Sequence, residues 1–151
     1  MKNQLLEIKV ALQIQKPARE VFEAIVNPEN MSNYFISKSS GIMEEGKQIR
    51  WRFPEFDTDF PIRVGKIERD KYVSYYWEVD GKELLVEMSL TPRDISSTVV
   101  TITEKSREND EAGIKWLIGN TEGWANFLAC LKAYLEYGIN LRKGAFDFLK
   151  S

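Results

Sequence analysis

Leu6, Ile8, Val10, Leu12 and Ile14 alternate with Glu7, Lys9, Ala11 and Gln13. An apolar residue at every second position is the pattern of a strand with one buried face, so the chain is expected to open on a strand. The period then changes. Pro17 suits a first helical position, and Ala18, Val21, Phe22 and Ile25 follow at the spacing of a helix face. Asn27-Pro28 ends that helix, and Pro28 can start a second short one with Met31, Tyr34 and Phe35 on its apolar side.

From Ser37 to Ser106 the pattern returns to period two, broken by Gly46, Pro54, Pro61, Asp80-Gly81 and Pro92-Arg93-Asp94. The pieces predict strands over 38–43, 47–54, 60–68, 71–79, 83–91 and 97–105. Asp80-Gly81 is the sharpest turn signal, because both residues tolerate the positive φ of a tight hairpin. Each connection is too short for a parallel crossover, so the run reads as an antiparallel meander.

The last element is a helix whose stripe is Trp124, Phe127, Leu128, Leu131, Tyr134 and Leu135, with Gly138 at the left-handed C-cap position. If the helix reaches back a further turn, Leu117 and Asn120 join the stripe. If it begins at Thr121, Asn120 is its N-cap. The tail from Ile139 to Ser151 carries Leu141, Phe146, Phe148 and Leu149, which suit the covering of a domain edge or contact with a second subunit.

A strand, two short helices, six strands and a long helix predict one α+β domain over residues 1–151 with a helix-grip architecture: a curved antiparallel seven-stranded sheet around the C-terminal helix. The stretch Pro17-Ala18-Arg19-Glu20-Val21-Phe22-Glu23-Ala24-Ile25, followed by Asn27-Pro28-Glu29-Asn30-Met31-Ser32-Asn33-Tyr34-Phe35, resembles the opening signature of the START-like (SRPBCC) superfamily. Gly123-Trp124, Leu128, Leu131-Lys132-Ala133-Tyr134-Leu135-Glu136 and Gly138 resemble, within it, the family named after the activator of the Hsp90 ATPase. The resemblance implies ligand binding between sheet and helix. It also implies two alternatives: an enzyme of the cyclase or aromatase kind, and a protein-interaction module that activates an Hsp90-type chaperone in a stress response.

Composition narrows the chemistry. No His occurs among the 151 residues, which excludes Ser-His-Asp triads, Cys-His pairs, His-ligated zinc and a His general base. There is no Walker A loop, GxGxxG or CxxC motif, and the sequence implies no catalytic residue, metal or cofactor. A net charge of -2 argues against a nucleic-acid surface. Arg50, Arg52 and Arg63 are interspersed with acids and read as solvated sheet positions. No apolar run is long enough to cross a bilayer, Met1-Lys2-Asn3-Gln4 leads into no leader-like apolar stretch, and Cys130 stands alone. The expectation is a cytoplasmic protein, monomer or homodimer.

Asp57 and Asp59 around Thr58 form a pair able to hold a hard cation, but a solvated loop is the stronger expectation. Cys130, beside Ala129 and Ala133, reads as helix packing. The aromatic positions are more informative. Trp51 and Phe53 share one strand face, Tyr75 and Trp77 a second, Val86 and Met88 a third. Turned inward, these faces meet Trp124, Phe127 and Leu131 of the helix, and large side chains on a curved sheet leave space where they fail to close. The expected site is therefore a pocket for a small hydrophobic molecule lined by those nine residues. Asn120, Tyr75 and Tyr134 are the polar groups available to orient it. A carrier or sensor is the first functional expectation, ahead of catalysis.

Overall fold

The computed structural model describes residues 4–150, so Met1 to Asn3, read above for a leader, and Ser151 lie outside the described residues. The elements in order are β1 (Leu5–Ile14), α1 (Ala18–Val26), α2 (Pro28–Met31), β2 (Lys38–Ser39), β3 (Gln48–Arg52), β4 (Asp59–Glu68), β5 (Tyr72–Val79), β6 (Lys82–Asp94), β7 (Ser97–Glu108) and α3 (Glu111–Tyr137), then a short 3-10 turn at Asp147–Leu149. All seven strands join one antiparallel sheet in the order β1-β7-β6-β5-β4-β3-β2. Its curvature around α3 is the expected helix-grip, α+β arrangement.

Strand parity decides what enters the core. Ile8 and Ile14 of β1, Ile49 and Trp51 of β3, Val73 and Tyr75 of β5, and Leu84, Val86, Met88 and Leu90 of β6 are all buried on the inner face. The period-two reading placed each on the apolar side of its strand. At the β5–β6 hairpin Asp80 and Gly81 take φ of 51° and 79°, as the turn chemistry predicted.

Two expectations about element bounds are corrected and one open alternative is decided. The strand expected over 38–43 shrinks to Lys38–Ser39, beyond which the Ser39 hydroxyl donates to the Gly41 carbonyl at 2.8 Å, a local turn that competes with further pairing. The strand expected to stop at 91 continues through Pro92, which ends in an irregularity of register before Asp94. Of the two starts left open for the long helix, the structure takes the earlier: it begins at Glu111, so Leu117 and Asn120 lie within it. Its N-cap is Asp110, whose side chain accepts the Gly113 N–H at 2.7 Å, and Asn120 lies ten residues inside the cap-to-helix run.

Gly113 is required there. A Cβ at that position would stand 1.9 Å from the Glu108 carbonyl oxygen, so the β7–α3 turn closes this tightly only on a glycine. At the other end Gly138 adopts φ 65° and satisfies the last carbonyls.

Placement of α3 over the sheet is uneven. The helix packs mainly against β1 and more lightly against β7. Two side chains fix that edge: Glu136 accepts the Gln15 backbone N–H at 2.8 Å, and Lys132 donates to the Gln13 carbonyl at 2.8 Å. The opposite side of the helix, facing β3 to β5, is left to aromatic side chains.

Candidate functional site

Between α3 and the β3–β5 side of the sheet lies a cavity of about 480 Å³, within the size range of small-molecule sites. The sheet side contributes Phe53, Phe60, Trp77 and Val79, and α3 contributes Asn120, Trp124, Phe127 and Cys130. Tyr34 and Phe35, just after α2, add a third wall. The tail beyond α3 supplies Arg142, Phe146 and Leu149, closing a side that neither sheet nor helix reaches. Phe56 and Leu149, both exposed, stand where the cavity meets solvent.

The rings hold one another in a packed array. Phe35 meets Phe127 edge-on at 4.7 Å and Phe53 edge-on at 5.2 Å, while Trp77 and Trp124 lie 5.6 Å apart. Such pairs gain about 0.5–1.5 kcal/mol each beyond burial, which favours this arrangement of the walls without a ligand.

Ten residues were expected to line this space, and the structure separates them. Phe53, Trp77, Asn120, Trp124 and Phe127 border the cavity. Trp51, Tyr75, Val86, Met88 and Leu131 do not: each is at most 1% exposed and belongs to the closed core. Trp51 and Tyr75 support the wall from behind, with Trp51 edge-on to Phe35 at 5.5 Å and Tyr75 edge-on to Trp77 at 5.4 Å. The physical reason is depth. Parity tells which face a residue is on, and position along the curved strand tells whether the helix already covers it.

Asn120 has found its partner inside the protein. Its amide Nδ2 donates to Oε1 of Glu104 at 3.1 Å. The Trp124 indole donates to the same oxygen at 2.8 Å, and the Trp77 indole donates to Oε2 at 2.9 Å. Glu104 is fully buried on β7 and was not singled out from the sequence. The signal was present, because Glu104 is in phase with the inward-facing Val100 and Ile102. An acid at such a position must have donors waiting for it.

The two tyrosines considered as ligand-orienting groups also separate. Tyr134 donates to Asn30 Oδ1 at 2.7 Å, which ties α3 to α2. Among the described residues the hydroxyl of Tyr75 has no partner, like the indole N–H of Trp51 beside it. Burial drives the ionisation of Tyr75, and of Tyr34, well above the ordinary tyrosine range, so both are neutral phenols.

A second polar contact lies at the tail. Arg142 grips Glu55 with two N–H groups, at 2.7 and 3.2 Å, and the Glu55 side chain is only 4% exposed. The Arg142 guanidinium lies 5.7 Å from the Phe53 ring and 4.9 Å from the Phe146 ring. Nothing in the apolar periodicity predicted this fork. Cys130 is buried, and burial pushes its thiol up while Arg142 acts the other way.

Other candidates have ordinary structural roles. Arg52 pairs with Asp59 at 2.8 Å and Arg63 pairs with Glu83, both at exposed positions. Among the described residues no cluster of acidic, Cys or His side chains could hold a metal ion, and no helix is long and apolar enough to cross a membrane.

The family model described as Activator of Hsp90 ATPase homolog 1-like protein matches residues 15–136. Among solved structures, protein SSP2350 from Staphylococcus saprophyticus is 33% identical, with a TM-score of 0.79 over 91% of this chain and 96% of that one. DynU16, from the dynemicin biosynthetic locus, is 25% identical with a TM-score of 0.78, and this chain covers 48% of it. The Aha1 dimer of Colwellia psychrerythraea is 20% identical, with a TM-score of 0.75 over 88% of this chain and 98% of that one, and so shares the fold. No curated protein sequence matches the chain. The family match ends at residue 136, before the tail that carries Arg142, Phe146 and Leu149.

Proposed function

Because the chain belongs to the Activator of Hsp90 ATPase homolog 1-like family, and because a cavity is left between its helix and the β3–β5 side of the sheet, we propose that it binds a small, largely apolar molecule as a carrier or sensor. The observation that supports this most is the cavity itself. A space of about 480 Å³ with largely apolar walls lies beside a core that is closed around Trp51, Tyr75, Val86 and Met88. Contiguous apolar surface of this kind gains when a ligand removes it from water. Walls already packed against one another lower the ordering cost of binding.

Catalysis in the same cavity has weaker support. Both buried carboxylates beside it are committed to protein donors, Glu55 to Arg142 and Glu104 to three N–H groups.

Trp77 and Trp124 report on the site directly. Aromatic and alkyl compounds titrated into the protein should change Trp emission and raise the melting temperature. Gly123 borders the cavity with no atom within 4 Å of a built Cβ, so Gly123→Phe should fill the space and abolish both responses. Unchanged responses in Gly123→Phe would place binding elsewhere. Recovery of an altered compound would shift the reading to catalysis.

A further inference from the structure

The three donors that hold Glu104 all border the cavity, so its carboxylate lies one side chain behind the wall. Each donor is a neutral N–H group. Among the described residues no Lys or Arg pairs with Glu104. The remaining charged groups at the cavity are Glu55 and Arg142, which offset each other, and Glu78, exposed and in no ion pair. Two carboxylates at the lining and a third just behind it are therefore set against one guanidinium, around walls that are otherwise aromatic, aliphatic or neutral polar. In the low-dielectric interior the Glu104 charge is felt more strongly across the cavity wall than it would be in water.

Two further observations give that charge a direction. A carboxylate accepting an indole N–H polarises the indole and enriches its ring face in electron density, and ring faces attract cations. Trp77 and Trp124 are both polarised by the same carboxylate, and their rings lie 5.6 Å apart at 33°. The cavity also already seats a cation on its aromatic lining, since Arg142 lies against Phe53 and Phe146.

From this geometry we infer that the cavity selects an organic cation, a bulky amine or quaternary ammonium on an apolar or aromatic body, with its charged head against the Trp77–Trp124 pair. The inference rests on the cavity-binding reading and adds the chemical class of the ligand. An anionic head would be set against Glu78 and against the Glu104 charge behind the wall, and a neutral one would gain only the apolar walls.

Three compounds of one shape separate the cases by calorimetry on the full chain: 2-naphthyl-trimethylammonium, the neutral 2-tert-butylnaphthalene, and 2-naphthoate. The ammonium should bind about thirtyfold more tightly than its neutral counterpart, the size of a desolvated cation–π contact. The naphthoate should bind weakest. Glu104→Gln, which keeps size and removes charge, should collapse most of that preference. Should that variant fail to fold, Trp77→Leu carries the same test by weakening the ammonium more than the neutral compound. Equal or tighter binding of the neutral compound or the naphthoate overturns the cation preference while leaving the cavity reading intact. Binding of none of the three overturns both.

Discussion

Arg142 and Glu55, 87 residues apart in sequence, meet as a two-bond fork at 2.7 and 3.2 Å and fasten the C-terminal tail across the cavity. The carboxylate is nearly inaccessible, so the pair does more than a surface ion pair does. Removing one partner leaves a buried charge without compensation.

Arg142→Met should therefore cost about 3–5 kcal/mol in chemical denaturation. The double variant Arg142→Met with Glu55→Gln should recover a large part of that loss, because no buried charge is then stranded. A single-variant loss below about 0.5 kcal/mol, the level of an exposed pair, would show that the fork holds nothing in place.

Trp124→Phe keeps a ring against Phe127 and Trp77 but removes the N–H that Glu104 accepts. A hydrogen bond to a charged group contributes about 1.5–3 kcal/mol, and stability should fall by that order. Asn120→Leu should cost less, since its bond to the same oxygen is longer, at 3.1 against 2.8 Å. Equal stability of Trp124→Phe and wild type in urea melts would contradict the role given to Glu104.

Two helix glycines should respond in opposite directions. At Gly119 a built Cβ meets nothing within 4 Å, so Gly119→Ala should stabilise the protein by about 0.8 kcal/mol through helix propensity. At Gly113 the same change drives a methyl into the Glu108 carbonyl oxygen, and Gly113→Ala should cost several times that amount. Thermal melts of the two variants side by side decide it. Stabilisation at both positions would mean that the β7–α3 turn relaxes freely.

Tyr72 gives a pH signature. Burial first, and then its hydrogen bond to Glu87, raise its ionisation to about 12 from an ordinary 10.0. Below the ordinary value both folded and unfolded chains keep the proton, and its contribution to stability is complete. As pH rises from 10 towards 12 the unfolded chain loses the proton while the folded chain keeps it, so that contribution is lost. The stability advantage of wild type over Tyr72→Phe should shrink across that interval, on top of the parallel effect of buried Tyr34 and Tyr75 that both proteins share. A difference that stays constant through the interval would rule this out.

Local pattern carried most of the architecture. The alternation of Leu6 to Ile14, the Asp80-Gly81 turn and the stripe from Trp124 to Leu135 each reflect a period set by backbone geometry, which is the same in any tertiary setting. Element ends were less legible. Asp110 caps α3 through a side-chain bond to Gly113, and that helix start is set by how tightly β7 turns, not by apolar spacing.

For the site, the sequence by itself determined which residues share a strand face and that, with those faces turned inward, aromatic side chains would meet between sheet and helix. Only the tertiary structure decided which of them border open space. Trp51 and Phe53 share a face, yet α3 and its neighbours cover the first and leave the second at the cavity. It also decided the polar partners, since Glu104 with Trp77, Asn120 and Trp124, and Arg142 with Glu55, join residues far apart along the chain. Periodicity is a property of neighbours in sequence. Enclosure and hydrogen-bond satisfaction are properties of neighbours in space, and the curvature of the sheet sets them.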